Sequence, residues 1–401
     1  MAEGPPYIRR IEIDNFKSLV GFGLDLDRFT CLVGLNGSGK STVLQAIDFF
    51  ARLFRGDLSD WLAQRQWTVS DLNSKLVRKS NIHFVLHLSV KGSEFYWQGA
   101  FNRALLRCTQ ESLVQDGAEW IRVEDGHYFL NDDPVGVGRT SPRTGVKINF
   151  GYQGSILSQL KPEALPPVVL RFKDFIVRTK ALDLLAPQYL RQRTRDSGGG
   201  LGLSGERLSA FLHELPPDKR LALEQQLRRC YPSLSAIHTS SLRFGWKQLA
   251  VEEVFGDRKL LSEARHVNDG MLRLMAILSE ILTDDRFLLF DEIENGINSE
   301  LVEFLLGRLV NARQQVLVTT HSPMILNYLD DDVARRGVQY LYKTPEGYTR
   351  SVPFFSIPSV SEKLEVMGPG EAFVDTNLTR LQEEIQAMTA GAQGQDDADP
   401  R

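Results

Sequence analysis

Gly34-Leu35-Asn36-Gly37-Ser38-Gly39-Lys40-Ser41 is the stretch on which the reading of this chain turns. It fits G-x-x-x-x-G-K-[ST] at every fixed position, and its context agrees with the motif. Before it, Thr30-Cys31-Leu32-Val33 is a continuous apolar run, the pattern of a buried strand. After it, Val43, Leu44, Ala46, Ile47, Phe50 and Leu53 recur at helical spacing. Strand, glycine loop and helix together make a phosphate cradle. Glycines let successive N–H groups point at phosphate oxygens, the helix start adds its positive dipole end, and Lys40 supplies a mobile cation. The expected cradle is Asn36, Gly37, Ser38, Gly39, Lys40, Ser41 and Thr42, holding ATP, with the Ser41 hydroxyl on Mg2+. The bland alternative, a glycine turn with a lysine at a helix start, does not explain the flanking pattern.

Two further strands aim polar groups at the same place. Arg286-Phe287-Leu288-Leu289-Phe290 reads as buried and ends in Asp291-Glu292. Asp291 is expected to reach Mg2+ across the loop from Ser41, directly or as an outer ligand. Glu292 on the rim is placed to orient or deprotonate the water that attacks the γ-phosphate. Val316 to Thr319 is a second buried strand, delivering Thr320-His321-Ser322-Pro323 to the sheet edge where open α/β folds bind ligands. His321 is expected to contact the γ-phosphate. Solvated carboxylates and a structural histidine are the bland readings, weakened by the glycine loop.

Around this nucleus the pattern is of alternating class. Ile8, Ile11, Ile13 and Phe16, then Leu24, Leu26 and Phe29, read as edge strands leading into the buried one. Residues 55 to 150 are β-rich, with Ile82 to Val90 pairing to Tyr96-Trp97-Gln98 through Lys91-Gly92-Ser93. From Pro162 to Tyr231 helical patterns prevail, broken by the flexible run Gly198-Gly199-Gly200-Leu201-Gly202. Helices at Met271 to Leu282 and Glu300 to Asn311 alternate with the two later strands, which implies a largely parallel sheet. The expected organisation is an N-terminal lobe with a β subdomain over 1–160, an inserted helical lobe over 161–262, and a C-terminal half over 263–345. A C-terminal extension follows over 346–387, and a disordered acidic tail over 388–401.

Composition narrows the class. With 401 residues, 42% apolar and 24% charged, the chain reads as a globular protein of two or three structural units. It has no run of about 18 to 20 apolar residues for a membrane helix, and its start lacks a signal pattern, so a cytoplasmic protein is expected. Cys31, Cys108 and Cys230 are too far apart for a metal pair and read as reduced, buried thiols. A net charge of -4 argues against coating nucleic acid by bulk charge. A local patch, Arg171 to Arg195, is basic enough to touch nucleic acid or to be an ordinary solvated or partner-docking face.

The motifs in this order resemble the ABC-type ATPases of the SMC, RecF and OLD group, in particular the compact OLD-like AAA family ATPases of bacterial defence systems. Ile11-Glu12-Ile13-Asp14-Asn15-Phe16-Lys17-Ser18 looks like that group's opening strand and turn. Val267 to Leu274 is similar to its signature segment, Asp291 to Ile297 to Walker B running into the D-loop, and Thr320 to Pro323 to its switch histidine. The resemblance covers roughly residues 7 to 330. It implies a P-loop NTPase of ABC ATPase type with a mixed or parallel central sheet. It also implies a signature, Asn268 and Gly270, that acts on the ATP of a partner subunit, hence a homodimer or higher oligomer. Asn268 stands where the family has serine, and Ile293 where it has proline after the glutamate; an asparagine still donates to a phosphate oxygen.

The same comparison shows what is missing. The 226 residues between Ser41 and Asn268 carry no sustained heptads, so no long coiled-coil arm is expected. Only 80 residues follow His321, so no nuclease is expected in the chain. Asp330-Asp331-Asp332 reads as a solvated loop. The favoured expectation is an ATP-hydrolysing switch subunit controlling a separate effector, often a nuclease, in antiphage defence. A RecF-like DNA-repair ATPase is the alternative, and a transporter subunit a third, disfavoured by the long interval from P-loop to signature. A pseudo-ATPase scaffold conflicts with the intact Lys40, Asp291 and Glu292.

Overall fold

A computed structural model of the chain describes residues 5–90, 92–131, 145–284, 286–377, 380–381 and 383–385. The acidic tail and Lys91 of the expected turn lie outside these. The chain opens with β1 (Tyr7–Asp14) and β2 (Phe22–Asp25), an antiparallel pair, and then β3 (Phe29–Val33), in which every residue is buried. The glycine loop leads into α1 (Lys40–Arg55), which ends where Gly56, at φ 75°, returns its N–H to the Arg52 carbonyl. A short α2 (Leu58–Gln64) follows. The next six strands are β4 (Asn81–Val90), β5 (Ser93–Asn102), β6 (Arg107–Gln115), β7 (Ala118–Glu124), β8 (His127–Leu130) and β9 (Val146–Lys147). They join β1 and β2 in one antiparallel sheet ordered β2-β1-β4-β5-β6-β7-β8-β9. Of the two expected edge strands only β2 lies at an edge; β1 is held between β2 and β4.

The segment expected as a helical lobe is mixed. It contains α3 (Pro167–Val177), then β10 (Thr179–Leu182), α4 (Pro187–Leu190), α5 (Leu208–Glu214) and α6 (Pro217–Cys230). It then forms a three-stranded antiparallel sheet from β11 (Leu234–Ser241), β12 (Lys247–Phe255) and β13 (Arg258–Glu263). The strands escape notice for two reasons. Four residues of β10 are too few to show a period, and β13 exposes Leu260 and Leu261 in succession, so no alternation marks it.

The remaining elements are α7 (Asp269–Ile281), β14 (Phe287–Phe290), α8 (Ser299–Val310), β15 (Gln315–Thr319), α9 (Asp331–Gly337), β16 (Val338–Lys343), β17 (Thr349–Pro353), α10 (Pro358–Leu364) and α11 (Pro369–Val374). The central sheet runs β10-β14-β15-β3-β16-β17, parallel until the last, antiparallel pair. Alternation along its strands feeds two cores. Leu32, Phe287, Leu289 and Leu317 face α1 and the antiparallel sheet, while Cys31, Val33, Leu288, Phe290, Val316 and Val318 face α7 and α8. The helix behind the P-loop is therefore clamped between two sheets. Phe50 and Phe54 of α1 meet Trp97 of β5 edge-to-face at 5.2 Å each.

Within β6, the buried Glu111 accepts hydrogen bonds from Ser155 Oγ and, at 2.7 Å, Ile156 N, and burial pushes its carboxyl up to about 7. Asp330 to Asp332 are a helix start rather than a loop: Asp330 precedes α9 without a side-chain capping bond, and the next two acids meet the positive dipole end. Among the described residues no His, Cys, Asp or Glu cluster suits a metal, and no helix is long and apolar enough to cross a membrane. All three cysteines are free thiols; Cys31 and Cys108 are buried, Cys230 only partly.

Candidate nucleotide site

The register of the central sheet assembles the site. Leu32 pairs with Thr319 and Phe290 with Val318, so the C-terminal ends of β3, β14 and β15 stop side by side. The P-loop, Asp291-Glu292 and Thr320-His321 leave from that one edge. They border a cleft of about 900 Å3 lined by Gly34, Leu35, Asn36, Glu292, His321 and Phe373, among others.

The loop has the backbone the motif demands. Gly34, Gly37 and Gly39 have φ of 148°, 78° and 110°, left of what side-chain-bearing residues adopt. A Cβ on Gly34 would lie 2.3 Å from the Leu341 carbonyl oxygen, and one on Gly39 2.4 Å from Thr349 Oγ1, so β16 and β17 back the loop directly. Thr349 Oγ1 donates to the Ser38 carbonyl at 2.9 Å and also meets Ser18 Oγ at 2.9 Å. Lys40 is buried, and its Nζ donates to the carbonyls of Gly34 (2.8 Å) and Leu35 (3.3 Å). Burial lowers its pKa against the opposing pull of Asp291, Glu292 and Glu294. Ser38 Oγ is buried with no hydrogen-bond partner. A cradle that a Cβ would fill, with an unmatched hydroxyl and a folded-back ammonium, fits a polyphosphate. Ser41 and Thr42 open α1 behind it.

Opposite, Thr319 Oγ1 donates to Asp291 Oδ1 and accepts from Glu292 N at 2.8 Å. Glu292 has φ 47°, a strained conformation for a non-glycine residue. Arg273 of α7, buried, holds it from below by donating to the Glu292 carbonyl at 2.6 Å. On the side chain, Oε1 lies 3.1 Å from His321 Nε2 and Oε2 accepts from Asn295 Nδ2 at 3.2 Å. Glu294 Oε1 in turn accepts from the backbone N–H groups of His321 and Ser322, fixing the histidine's position. Glu292 and His321 therefore face the cleft as a close pair, 3.1 Å apart.

Asn268 and Gly270 stand at the start of α7, where a Cβ on Gly270 would lie 3.1 Å from the Gly296 carbonyl oxygen. Asn268 caps α7, its Oδ1 accepting from Met271 N at 2.7 Å, and neither residue borders the cleft. The cap uses the oxygen of an exposed side chain and leaves the amide nitrogen to point outward. The basic stretch is not one patch: Arg178 pairs with Asp174, Lys180 with Glu280, Arg191 with Asp269 and Arg193 with Glu263. Arg273, Thr319, Glu294 and Thr349 were not singled out from the sequence. Arg273 carried a signal: a cation at the centre of the apolar run Met271-Leu272-Arg273-Leu274-Met275 needs a buried partner. The C-terminal extension reaches the site too, since Asn327 Oδ1, six residues past His321, accepts from Gly370 N at 2.7 Å and sets Phe373 at the cleft mouth.

This edge geometry, a P-loop, an Asp-Glu strand end and a histidine strand end on a parallel sheet with a β subdomain, is that of a P-loop ATPase of ABC type. The family model "AAA ATPase domain" matches residues 7–87, and the model "AAA domain, putative AbiEii toxin, Type IV TA system" matches residues 160–327. An OLD nuclease of Thermus scotoductus is 28% identical over 138 residues, covering 34% of this chain and 22% of that protein. The DNA replication and repair protein RecF of Pasteurella multocida is 30% identical over 126 residues, 31% of each chain. These alignments span about a fifth to a third of the relatives' lengths. An Smc head solved bound to the C-winged helix domain of ScpA superposes with TM-score 0.52 at 15% identity, over 86% of this chain and 97% of that one, a likeness of fold. By these matches the chain is similar to ATPases of the SMC, RecF and OLD type.

Proposed function

We propose that the chain is a nucleotide switch that closes into a homodimer around ATP and controls a separate effector, a nuclease in antiphage defence. What supports the dimer is that Gly34 to Asn36, Glu292 and His321 line the cleft while Asn268 and Gly270 do not, although their helix α7 reaches the Glu292 carbonyl through Arg273. A second subunit would bring its Asn268 to the open side, completing each site from two chains.

Within one half-site, Asn36 to Thr42 and Lys40 would hold the phosphates, and Ser41 and Asp291 would hold Mg2+. The metal neutralises developing charge when bound. Glu292 orients and deprotonates the attacking water, and His321, 3.1 Å from its carboxylate, steadies it beside the γ-phosphate. The effector and the defence setting are supported by the toxin-related description of the matching family model and by the OLD nuclease relative. A RecF-like role in DNA repair is favoured instead by the RecF alignment, and a transporter role by no observation here. Co-purification separates these: a soluble nuclease, duplex DNA or a permease would each select one.

The switch itself is tested by Glu292→Gln, whose amide holds the water but cannot accept its proton. With ATP and Mg2+ it should elute as a dimer in light-scattering chromatography and turn over at least about a hundredfold slower. Normal turnover with no added dimer would remove Glu292 from this role.

A further inference from the structure

The turn between β11 and β12 is built unlike a surface loop that merely reverses the chain. Leu242 N donates to the Trp246 carbonyl at 2.7 Å, closing the tip Arg243-Phe244-Gly245. Phe244 sits at φ 63°, where glycine or asparagine is less strained, and is 84% exposed. Trp246 is 39% exposed, and the Arg195 guanidinium covers its ring at 4.9 Å. Arg243 has no ion pair among the described residues, and Lys247 Nζ reaches only Ser241 Oγ at 2.7 Å. Two acids share the hollow beside Trp246 and Arg195: Asp196, which accepts from Gly198 N at 2.8 Å, and Glu206, which accepts from Ser204 N at 3.0 Å. A left-handed phenylalanine with its ring in water is an outlier that folding alone does not require.

We infer that this hairpin tip binds single-stranded nucleic acid, bases stacking on Phe244 and Trp246 and phosphates meeting Arg195, Arg243 and Lys247. Two aromatic rings two residues apart, flanked by Arg195, Arg243 and Lys247, which make no ion pair among the described residues, match unstacked bases on a phosphate backbone. A duplex offers base faces only at its ends, and a polypeptide would not call for this surplus of positive charge. The tip also lies next to the signature. Lys247 N donates to the Thr194 carbonyl at 2.7 Å, and from that same segment Arg191 donates to the Val267 carbonyl at 2.8 Å, one residue before Asn268. The inference extends the switch reading by naming its trigger, but binding is measured without nucleotide, so the two fail separately.

The test is fluorescence anisotropy of a labelled oligothymidylate of about 20 nucleotides with the full chain. The wild type should bind, and Phe244→Ala/Trp246→Ala should weaken binding at least about tenfold, since a stacked base contributes about 1–3 kcal/mol. Arg243→Glu, a change on an exposed side chain that leaves the fold alone, should weaken binding and flatten its salt dependence. A blunt duplex of the same length should bind more weakly and be indifferent to the aromatic pair. No binding by the wild type, or binding by Arg243→Glu equal to wild type, overturns the proposal; the first result would leave the tip to a protein partner.

Discussion

Thr319 links the two acids on which the chemistry turns. Its single hydroxyl donates to Asp291 and accepts from the N–H of Glu292, whose backbone is held at positive φ. Thr319→Val keeps the shape and removes both bonds, leaving a buried N–H unmatched at about 1–3 kcal/mol. Glu292 then relaxes from its position against His321, and a displacement of about 1 Å at such a group lowers turnover by about a hundredfold. ATP affinity by calorimetry should change little, because the cradle around Lys40 is untouched. Unchanged steady-state turnover would show that Thr319 only fills space. The acids, the histidine and the cradle were legible because each ends an apolar run, where a polar residue is conspicuous. Thr319 was not: a threonine at the end of Val316-Leu317-Val318 suits a strand, and only the register against Leu32 reveals its second partner.

Elements with a strong period were legible, and those without one were not. Helix α1 and the strands β3, β14 and β15 lie within two residues of where their apolar patterns place them. The sheet β11-β12-β13 was hidden because β11 and β13 lack the regular alternation by which a half-buried strand is read. The antiparallel sheet carries its own test. Glu111, a buried residue of β6, has a carboxyl raised from 4.5 to about 7. Between those pH values the folded chain holds a proton that the unfolded chain has released. Its contribution is therefore full below about 4.5 and is lost as pH rises through about 7. The loss is at most about 3 kcal/mol. Glu111→Gln, which cannot ionise, should narrow the fall in melting temperature between pH 5 and pH 8 in thermal denaturation. An identical pH profile for wild type and variant would place the titration elsewhere.

The ABC-type architecture was legible from motif order alone, whereas the position of the signature away from its own cleft needed the structure. That position bears on the central claim, because with a partner's signature it would make each ATP site a product of two chains. Asn268→Asp keeps the cap on Met271 N while setting a negative charge where a partner's phosphates would arrive. Lys40→Ala damages the other half. Each variant alone has two broken sites in every dimer and should be nearly inactive. Mixed, they form hybrids with one doubly damaged and one intact site. The most direct measurement is ATPase activity of the equimolar mixture, with native mass spectrometry confirming that hybrids form. Recovery toward about a quarter of wild-type turnover is predicted, half the dimers being hybrids with one working site each. Hybrids present with no activity above either variant alone would contradict a site shared between two chains.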